Sequence, residues 1–362
     1  ASIHSLSSNR MKYRFPTIAI PGLLMLMMGC QPPAPHESIT QIAFGSCAEQ
    51  RNPQPVLEQV VNVRPDLFIY LGDNIYSDTY SLDTLRMNYN MLAAKPEFQK
   101  LKAAMPLYAV WDDHDYGWND SGRHYPLKEE SKQIFLDFFG HQGDSTIQDH
   151  PGIYHTAYFG TQGKRVQIIF LDLRTFRDKL LPYNGNRANQ PGYTYTLDYS
   201  PYTTADSTLL GADQWRWLEA QLHVPADVRV IASSTQFSIT HNGYEAWANF
   251  PHEQERMLKL IKSTKANGVL FISGDVHYAE ISKLTSPGLY PLYDVTSSGI
   301  TSTWDFATPN DNRIDGPIMD NNFGLLKINW ELADPEITMQ IIDARGKIRI
   351  TRSVRLSELQ LP

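Results

Sequence analysis

Short apolar runs alternate with amphipathic stretches along most of the chain. Residues 66–71 (DLFIYL) are apolar at nearly every position, which is typical of a strand buried on both faces. Residues 211–222 (GADQWRWLEAQL) instead place apolar side chains at helical spacing. The predicted strands are 39–44, 66–71, 107–111, 165–171, 228–233, 268–273 and 291–297, with closing β-structure at 323–330, 336–343 and 346–354. The predicted helices are 53–64, 81–94, 127–140, 211–222 and 251–263.

Side chains that can bind metal or phosphate follow almost every predicted strand. Cys47 follows the first strand, Asp73 the second, Asp113 the third, and Asp275 with His277 the strand at 268–273. Ligands of open α/β sheets bind at the carboxyl ends of the strands. A single Asp there is commonly a turn residue, but the repetition favours a binding edge. The pattern therefore predicts an α/β fold with one catalytic domain, residues 39–362.

Residues 181–205 interrupt this alternation. The segment is polar, rich in Tyr, Asn and Pro, and longer than an ordinary connection. Long loops in compact domains are usually functional or disordered. We therefore predict an insertion that lies over the site.

Composition excludes some classes of protein. The formal net charge is −7 and the sequence pI is about 5.9, without a basic run, which argues against a nucleic-acid-binding surface. Apolar residues make up 42% of the chain, enough for a full core at this length. A run of about 20 apolar residues, as a membrane-spanning helix needs, is missing.

The first 38 residues have the pattern of an export signal. Lys12 and Arg14 precede an apolar stretch that ends at Gly29 and Cys30, which resembles a bacterial lipoprotein signal. Residues 1–30 are thus predicted to be an extension and signal peptide, and 31–38 a Pro-rich tether. Export to the periplasm or cell surface of a bacterium follows, with a lipid on Cys30 as membrane anchor. An ordinary signal peptide cut elsewhere, or a short core helix, is the alternative.

The residue types at the strand ends divide into two ligand sets. Cys47, Asp73, Tyr76 and His277 would suit iron, because phenolate and thiolate favour such an ion. The alternatives are an Asp at the solvent edge, an aromatic packing residue, and a small buried Cys or a disulfide with Cys30.

An all-oxygen set would share one of these ligands. Asp73, Asp113 and Asp275, together with Gln236, would suit calcium, magnesium or manganese. The sequence therefore predicts two adjacent metal sites of different softness that meet at Asp73.

Five motifs follow one another along the chain: FGSC (44–47), LGDNIYSD (71–78), WDDHD (111–115), FLDLR (170–174) and SGDVH (273–277). In this order they resemble the motifs of the PhoD-like alkaline phosphatases and phosphodiesterases, which are calcineurin-like, purple-acid-phosphatase-related metallophosphoesterases. The resemblance covers roughly residues 40–305 and includes the Trp-containing stretch EAWANFPHEQERML (245–258).

This resemblance implies a four-layer αββα sandwich with metals at the strand tips. It implies iron on the Cys47, Asp73, Tyr76 and His277 set and calcium beside it, with zinc, magnesium or manganese as other candidates. Related enzymes have Asn-His where this chain has an acid before His114, so Asp113 is assigned the ligand role rather than Asp112.

The mechanism expected from two cations is in-line attack on phosphorus by a metal-activated hydroxide. His114, oriented by a neighbouring carboxylate such as Asp115, is predicted to protonate the leaving oxygen or to stabilise the phosphate. Arg174 is predicted to neutralise a phosphoryl oxygen, or else to form a salt bridge with Asp172 or lie at the surface. The predicted substrate-pocket residues are Asp112, Asn74, Trp247 and His241.

The predicted function is hydrolysis of phosphomonoesters, phosphodiesters or both. Another phosphate ester or anhydride is possible on the same fold. An alternative of a different class is a non-catalytic surface lipoprotein that binds calcium or a phosphorylated polymer, since fold does not fix function.

Overall fold

Two large β-sheets and the helices beside them make up the described part of the chain, residues 37–141, 143–185 and 197–361 of a computed structural model. These residues belong to one compact unit. The strands are β1 (Gln41–Gly45), β2 (Leu67–Leu71), β3 (Leu107–Val110), β4 (His155–Phe159), β5 (Val166–Phe170), β6 (Leu181–Pro182), β7 (Tyr199–Ser200), β8 (Val228–Ala232), β9 (Val269–Ser273), β10 (Ala279–Leu284), β11 (Leu292–Ser297), β12 (Arg313–Ile318), β13 (Asn322–Asn329), β14 (Glu336–Asp343) and β15 (Ile348–Arg355).

The helices flank these sheets. Three of them begin with Pro at their first position, where a missing N–H costs nothing. Ser81 caps the start of α2, and its hydroxyl accepts from the Thr84 N–H at 3.3 Å. The helices are α1 (Pro55–Val63), α2 (Leu82–Ala93), α3 (Pro96–Ala104), α4 (Asp113–Tyr116), α5 (Lys128–Phe139), α6 (Gly211–Leu222) and α7 (Pro251–Ser263), with 3-10 turns at Ser145–Gln148, Trp247–Asn249 and Leu356–Leu359.

Each sheet contains neighbouring parallel strands, whose carboxyl ends lie at the same edge. The described strands are ordered β15-β14-β13-β1-β2-β3 in the first sheet and β12-β10-β11-β9-β8-β5-β4 in the second. β1, β2 and β3 run parallel, as do β5, β8, β9 and β11. An isolated bridge between Ser46 and Ser298 joins the two sheets just beyond β1 and β11. The predicted binding edge is therefore shared by both sheets.

One helical layer covers each sheet. Helices α1 and α5 contact β13 and β3, and α2 and α3 pack beside them. On the other side, Gln167 of β5 donates to the Gln221 carbonyl of α6 at 2.9 Å, and Trp215 of α6 donates to Glu253 of α7 at 2.8 Å. The predicted four-layer αββα sandwich is confirmed.

Some elements were not predicted from the pattern. Helix α3 follows α2 after a break at Pro96, and the strands β4, β10 and β12 fell between predicted elements. β10 (AEISKL) carries Glu280 in a fully buried position, paired with Arg313. Two charged residues in a run of six do not predict a buried strand, because a buried carboxylate is stable only when it is paired. The partner of Glu280, Arg313, is brought to it by the tertiary structure.

The predicted signal peptide, residues 1–30, lies outside the described residues, as does most of the tether at 31–38. None of the helices described in the structure has the length and apolar character that crossing a membrane requires.

Candidate metal centre and pocket

Two Gly-Asp turns carry the central carboxylates into the site. Gly72 has a φ of +96°, and a Cβ there would lie 2.5 Å from the Cβ of Asp112. A Cβ on Gly274 would lie 2.7 Å from that of Ser46. Only glycine allows neighbouring strand ends to approach this closely. The approach places Asp73 and Asp275 at the shared edge of the two sheets.

Backbone strain is concentrated at this edge. In the part of the chain that the structure describes, eight residues other than glycine have a positive φ, and six of them lie around the site. Such a conformation costs on the order of 1 kcal/mol for an ordinary residue and clusters where function requires a fixed geometry. The six residues are Cys47, Asp73, Asp78, Asp120, Asp275 and His277.

The four residues predicted to hold iron converge. The Sγ of Cys47 and the hydroxyl of Tyr76 each lie 3.4 Å from Oδ2 of Asp73, and that hydroxyl is 3.5 Å from Nε2 of His277. Burial, reinforced by Asp73, raises the pKa of the Cys47 thiol. Burial and the nearby His114 lower the pKa of His277 to about 4, so its ring is neutral. A neutral imidazole and a thiol that needs a cation to ionise are the state expected of ligands before metal binding.

Four carboxylates form the oxygen-rich part of the site. Asp73, Asp112, Asp113 and Asp275 each offer an oxygen within 4.8 Å of the others. Asp73 Oδ1, Asp112 Oδ2 and Asp113 Oδ1 are buried without a hydrogen-bond partner among the described residues. Burial is the first cause that raises the pKa of Asp73 and of Asp275. Buried unpartnered oxygens are rare in native proteins, and a bound cation would satisfy them. The residues present therefore fit the predicted metals.

Arg174 is part of a buried ion cluster instead of facing substrate. Its side chain is 1% exposed, donates from Nε to Asp112 at 2.6 Å, and forms a two-pronged pair with Glu245 at 2.9 and 2.6 Å. The predicted contact with phosphate is thus corrected, and the salt-bridge partners are Asp112 and Glu245 rather than Asp172. Asp112, also bonded by Ser234 at 2.7 Å, is held by this cluster and does not line the pocket.

His114 is oriented by a carboxylate other than the predicted one. Its Nδ1 lies 2.8 and 2.9 Å from the two oxygens of Asp78. Asp115 instead accepts from the backbone N–H of Asp112 at 2.7 Å and of Asp73 at 3.2 Å. The prediction that Asp115 orients His114 is therefore wrong, because the side chain of Asp115 fixes the backbone that carries Asp73.

The acidic surroundings determine the charge of His114. Burial opposes protonation, but Asp113, Asp73 and Asp78 outweigh it and raise the pKa of His114 to about 11. In the metal-free protein the ring is therefore a cation that can donate a proton. Since Asp78 occupies Nδ1, Nε2 is the nitrogen left for a ligand in the pocket that His114 lines.

Two residues predicted to contact substrate are structural. Asn74 is fully buried, and its side-chain amide donates to the Val110 carbonyl at 2.8 Å and to Asp115 at 2.6 Å. Trp247 is also fully buried and donates to the Ser233 hydroxyl at 3.0 Å. Both predictions are corrected, since neither side chain reaches the pocket.

Gln236 and His241 also lie apart from the pocket lining. The amide of Gln236 donates to Glu280 at 2.9 Å and to Thr296 at 3.0 Å, within the second sheet. Its Oε1, the atom that would bind a cation, is buried without a hydrogen-bond partner among the described residues, so its place in the oxygen set stays a prediction. His241 is half-buried, and burial lowers its pKa.

The pocket itself has a volume of about 190 Å³ and opens beside His114 and the carboxylates. The described ends of the predicted insertion contribute to it through Asp198 and Tyr199. The Tyr199 hydroxyl donates to Asp120, whose backbone N–H donates to Asp113 at 2.7 Å. The lining residues are Asp73, Asp113, His114, Asn119, Asp120, Asp198, Tyr199, Tyr244, Glu245, Asp275, His277 and Trp304.

Several of these functional residues were not predicted. Asp78 ends the motif LGDNIYSD, so its place in a motif was the only available signal. Glu245 begins the family-like stretch 245–258, whereas Asp120 lies in a loop without a pattern. Both approach Asp113 to within 4.8 Å only in the folded chain.

Solved structures with the same architecture define the class of fold. A structure of PhoD matches with a TM-score of 0.68 and 18% identity, over 89% of this chain and 73% of that one. A dimetal phosphatase from Danio rerio matches with a TM-score of 0.51 and 14% identity, over 90% of this chain and all of that one. GAP50, described as the anchor in the inner membrane complex of Plasmodium, matches with a TM-score of 0.53 and 15% identity, over 90% of each chain. The fold is that of the metallophosphoesterases.

The chain belongs to the PhoD-like phosphatase family, whose model matches residues 42–353. Alkaline phosphatase D of Bacillus subtilis (strain 168) is 25% identical over 293 residues, which is 70% of this chain. The match covers 48% of the Bacillus protein, so the chain spans about half the length of that relative. The resemblance inferred from the motifs is confirmed.

Proposed function

We propose that this protein hydrolyses phosphate esters at a centre that holds two or more metal ions. The observation that carries the proposal is the convergence of Cys47, Tyr76, His277 and the carboxylates on Asp73, with buried carboxylate oxygens left unpartnered. Membership of the PhoD-like phosphatase family supports it.

The ligand types suggest how the ions would be divided. Cys47, Asp73, Tyr76 and His277 would hold iron, and Asp73, Asp113 and Asp275 would hold calcium, with magnesium, manganese or zinc as competitors. When bound, such ions supply an activated water at neutral pH and neutralise phosphoryl charge.

The chain's own residues perform the remaining steps. Hydrolysis joins a water oxygen to phosphorus and breaks the bond to the ester oxygen, which leaves as an alcohol once it receives a proton. His114, whose Nδ1 is held by Asp78, is placed to give that proton from Nε2. Arg174 acts as a positioning residue, because it fixes Asp112 and Glu245 behind the pocket.

Turnover of a chromogenic phosphodiester and of the matching monoester by residues 31–362 tests the proposal. Each assay is run with added calcium and again after chelation. Chelator-sensitive turnover that metal restores is expected, and the ratio of the two rates gives the preferred ester. A folded, metal-loaded protein that turns over neither ester would contradict it.

The iron assignment has a separate test. Cys47→Ala removes the thiolate while keeping a small buried side chain, so we expect iron content to fall while calcium content is retained. Elemental analysis of the purified variant and of wild type measures both. Unchanged iron would make Cys47 a packing residue.

A second candidate is a binding protein without turnover, since a protein named as an anchor has this fold. The presence of the complete ligand set together with the His114–Asp78 pair argues against it. Calcium binding without hydrolysis in the chromogenic assay would favour this candidate.

We also propose export and a lipid anchor on Cys30, which rest on the signal-like stretch at residues 11–30. Mass spectrometry of a bacterial membrane fraction is expected to find an acylated peptide that begins at Cys30. If this region is detected solely as unmodified peptide, the proposed lipid anchor is rejected.

A further inference from the structure

Aromatic rings form one side of the pocket, next to the carboxylates. Tyr199, Tyr244 and Trp304 are half-buried, and all three line the cavity that also contains Asp73 and Asp113. They come from β7 and two separate loops, so the fold and not a local pattern assembles them.

Trp304 is the centre of this aromatic wall, defined as Tyr199, Tyr244 and Trp304. Its ring stacks on His277 with centroids 5.2 Å apart and planes 2° apart, and on Phe306 at 5.1 Å and 10°. Tyr244 lies 5.2 Å away at 48°. The Trp304 backbone N–H also donates to the His277 carbonyl at 3.1 Å. The indole is thus fixed before any ligand arrives, which lowers the entropic cost of binding against it.

The two sides of the pocket suit different parts of an ester. Cations on the carboxylates would bind the phosphate, whereas an aromatic face attracts another flat ring by stacking and by burial of apolar surface. An ester whose phosphate sits at Asp73 and His114 has its organic group within the same small cavity of about 190 Å³.

We propose that the aromatic wall binds the organic group of the substrate and that preferred esters carry a planar aromatic ring. The proposal rests on the function proposed above and specifies the substrate class of that site. Stacking of one ring on an aromatic side chain corresponds to a preference of about tenfold or more.

Phosphonates test ring preference without turnover. Methyl-, cyclohexyl- and phenylphosphonate carry the same anion, and the cyclohexyl compound separates a flat ring from mere apolar bulk. Titration calorimetry with the metal-loaded protein is expected to show phenylphosphonate about tenfold tighter than methylphosphonate, with cyclohexylphosphonate between them. Equal affinity for all three, or no binding of any, would overturn the proposal.

Hydrolysis gives the matching kinetic test. Methyl and phenyl 4-nitrophenyl phosphate release the same nitrophenol, so the ratio of their kcat/KM values reports the retained group alone. We expect a ratio of about ten in favour of phenyl. Both substrates carry the nitrophenyl ring, so a ratio near one refutes the ring preference when the three phosphonates also bind equally, and it leaves the proposed function intact. No turnover of either substrate would refute the proposed function, and the phosphonate titrations would then test the aromatic wall by themselves.

Variants locate the preference. Trp304→Leu and Tyr244→Leu are each expected to bring both ratios towards one. Because Trp304 contacts His277, its variant can also lower overall metal binding or turnover. Such a general loss weakens both ligands equally, so it does not itself change the ratio between them. Tyr80→Leu is the matched control, since Tyr80 is 58% exposed, stacks on Trp118, and is not a pocket residue. A ratio that falls in Tyr80→Leu but not in the wall variants would overturn the assignment.

Discussion

Two groups of buried carboxylates lie side by side in this protein, and their charges are balanced in different ways. Asp112 and Glu245 share Arg174, and Arg177 lies 3.0 Å from Glu245. Asp73 is buried and Asp275 is half-buried, and neither forms an ion pair with a basic side chain in the described part of the chain. The first group is neutralised by arginines of the protein itself, although Asp112 also keeps one unpartnered oxygen, whereas the second has no such partner and is where a bound cation would supply the positive charge.

The difference shows how the chain separates support from binding. A buried carboxylate is costly unless it is paired, so the Arg174 cluster forms a stable base behind the pocket. The group around Asp73 keeps unpartnered oxygens, at the expense of stability in the metal-free state. The predictions below test this contrast, starting with the largest expected effect.

Asp73→Asn should abolish turnover without unfolding the protein. The substitution keeps the shape but removes the charge that both ligand sets share, and we expect kcat/KM to fall about 10⁴-fold, or ~5 kcal/mol. Activity assays and thermal melting of the metal-free protein check this. Melting should be unchanged or slightly higher, because burial disfavours the charged form of Asp73. Activity within tenfold of wild type would refute the shared-ligand assignment.

Arg174→Met should lower stability instead. It leaves Asp112 and Glu245 buried without their partner, so we expect the free energy of unfolding to fall by about 3–5 kcal/mol in urea titrations. Arg174→Lys, which restores the charge but not the two-pronged geometry, should lose less. Equal stability of the Met variant and wild type would show that the cluster is not the support we describe.

Asp78→Ala should reduce catalysis moderately by releasing the ring of His114. A 10–100-fold decrease in kcat/KM is expected, typical of the loss of a residue that orients a functional group. Metal content should be unchanged, which distinguishes this variant from Asp73→Asn. Asp115→Asn serves as the comparison variant. A 10–100-fold decrease in kcat/KM in Asp115→Asn, with no decrease in Asp78→Ala, would show that Asp115 orients His114, as expected from the sequence.

The smallest effect concerns pH and the metal-free protein. Burial raises the pKa of Asp275, so the folded state binds the proton more tightly than the unfolded state, whose pKa is about 4. This group therefore favours folding at low pH, and its contribution is lost as pH rises towards the folded pKa. Asp275→Asn should melt higher than chelated wild type, by a margin that grows by a few degrees between pH 5 and pH 8. A margin independent of pH would contradict the sign.

Local patterns were sufficient for the strands and their tips. The run Leu67–Leu71 is buried at every position, as its composition predicts, and the Gly-Asp turns that follow β2 and β9 are adjacent in sequence to the strands they end. Strand burial and turn chemistry depend mainly on neighbouring residues, so Cys47, Asp73, Asp275 and His277 were found from sequence.

The partners of those residues depended on packing across the chain. Asp78 meets His114 across 36 residues, and Arg174 meets Asp112 across 62 and Glu245 across 71. Distance and desolvation in the folded core determine which carboxylate pairs with a buried basic side chain. Neither quantity can be read from the linear sequence. For the same physical reason the aromatic wall forms only when β7 and two loops come together around the carboxylates.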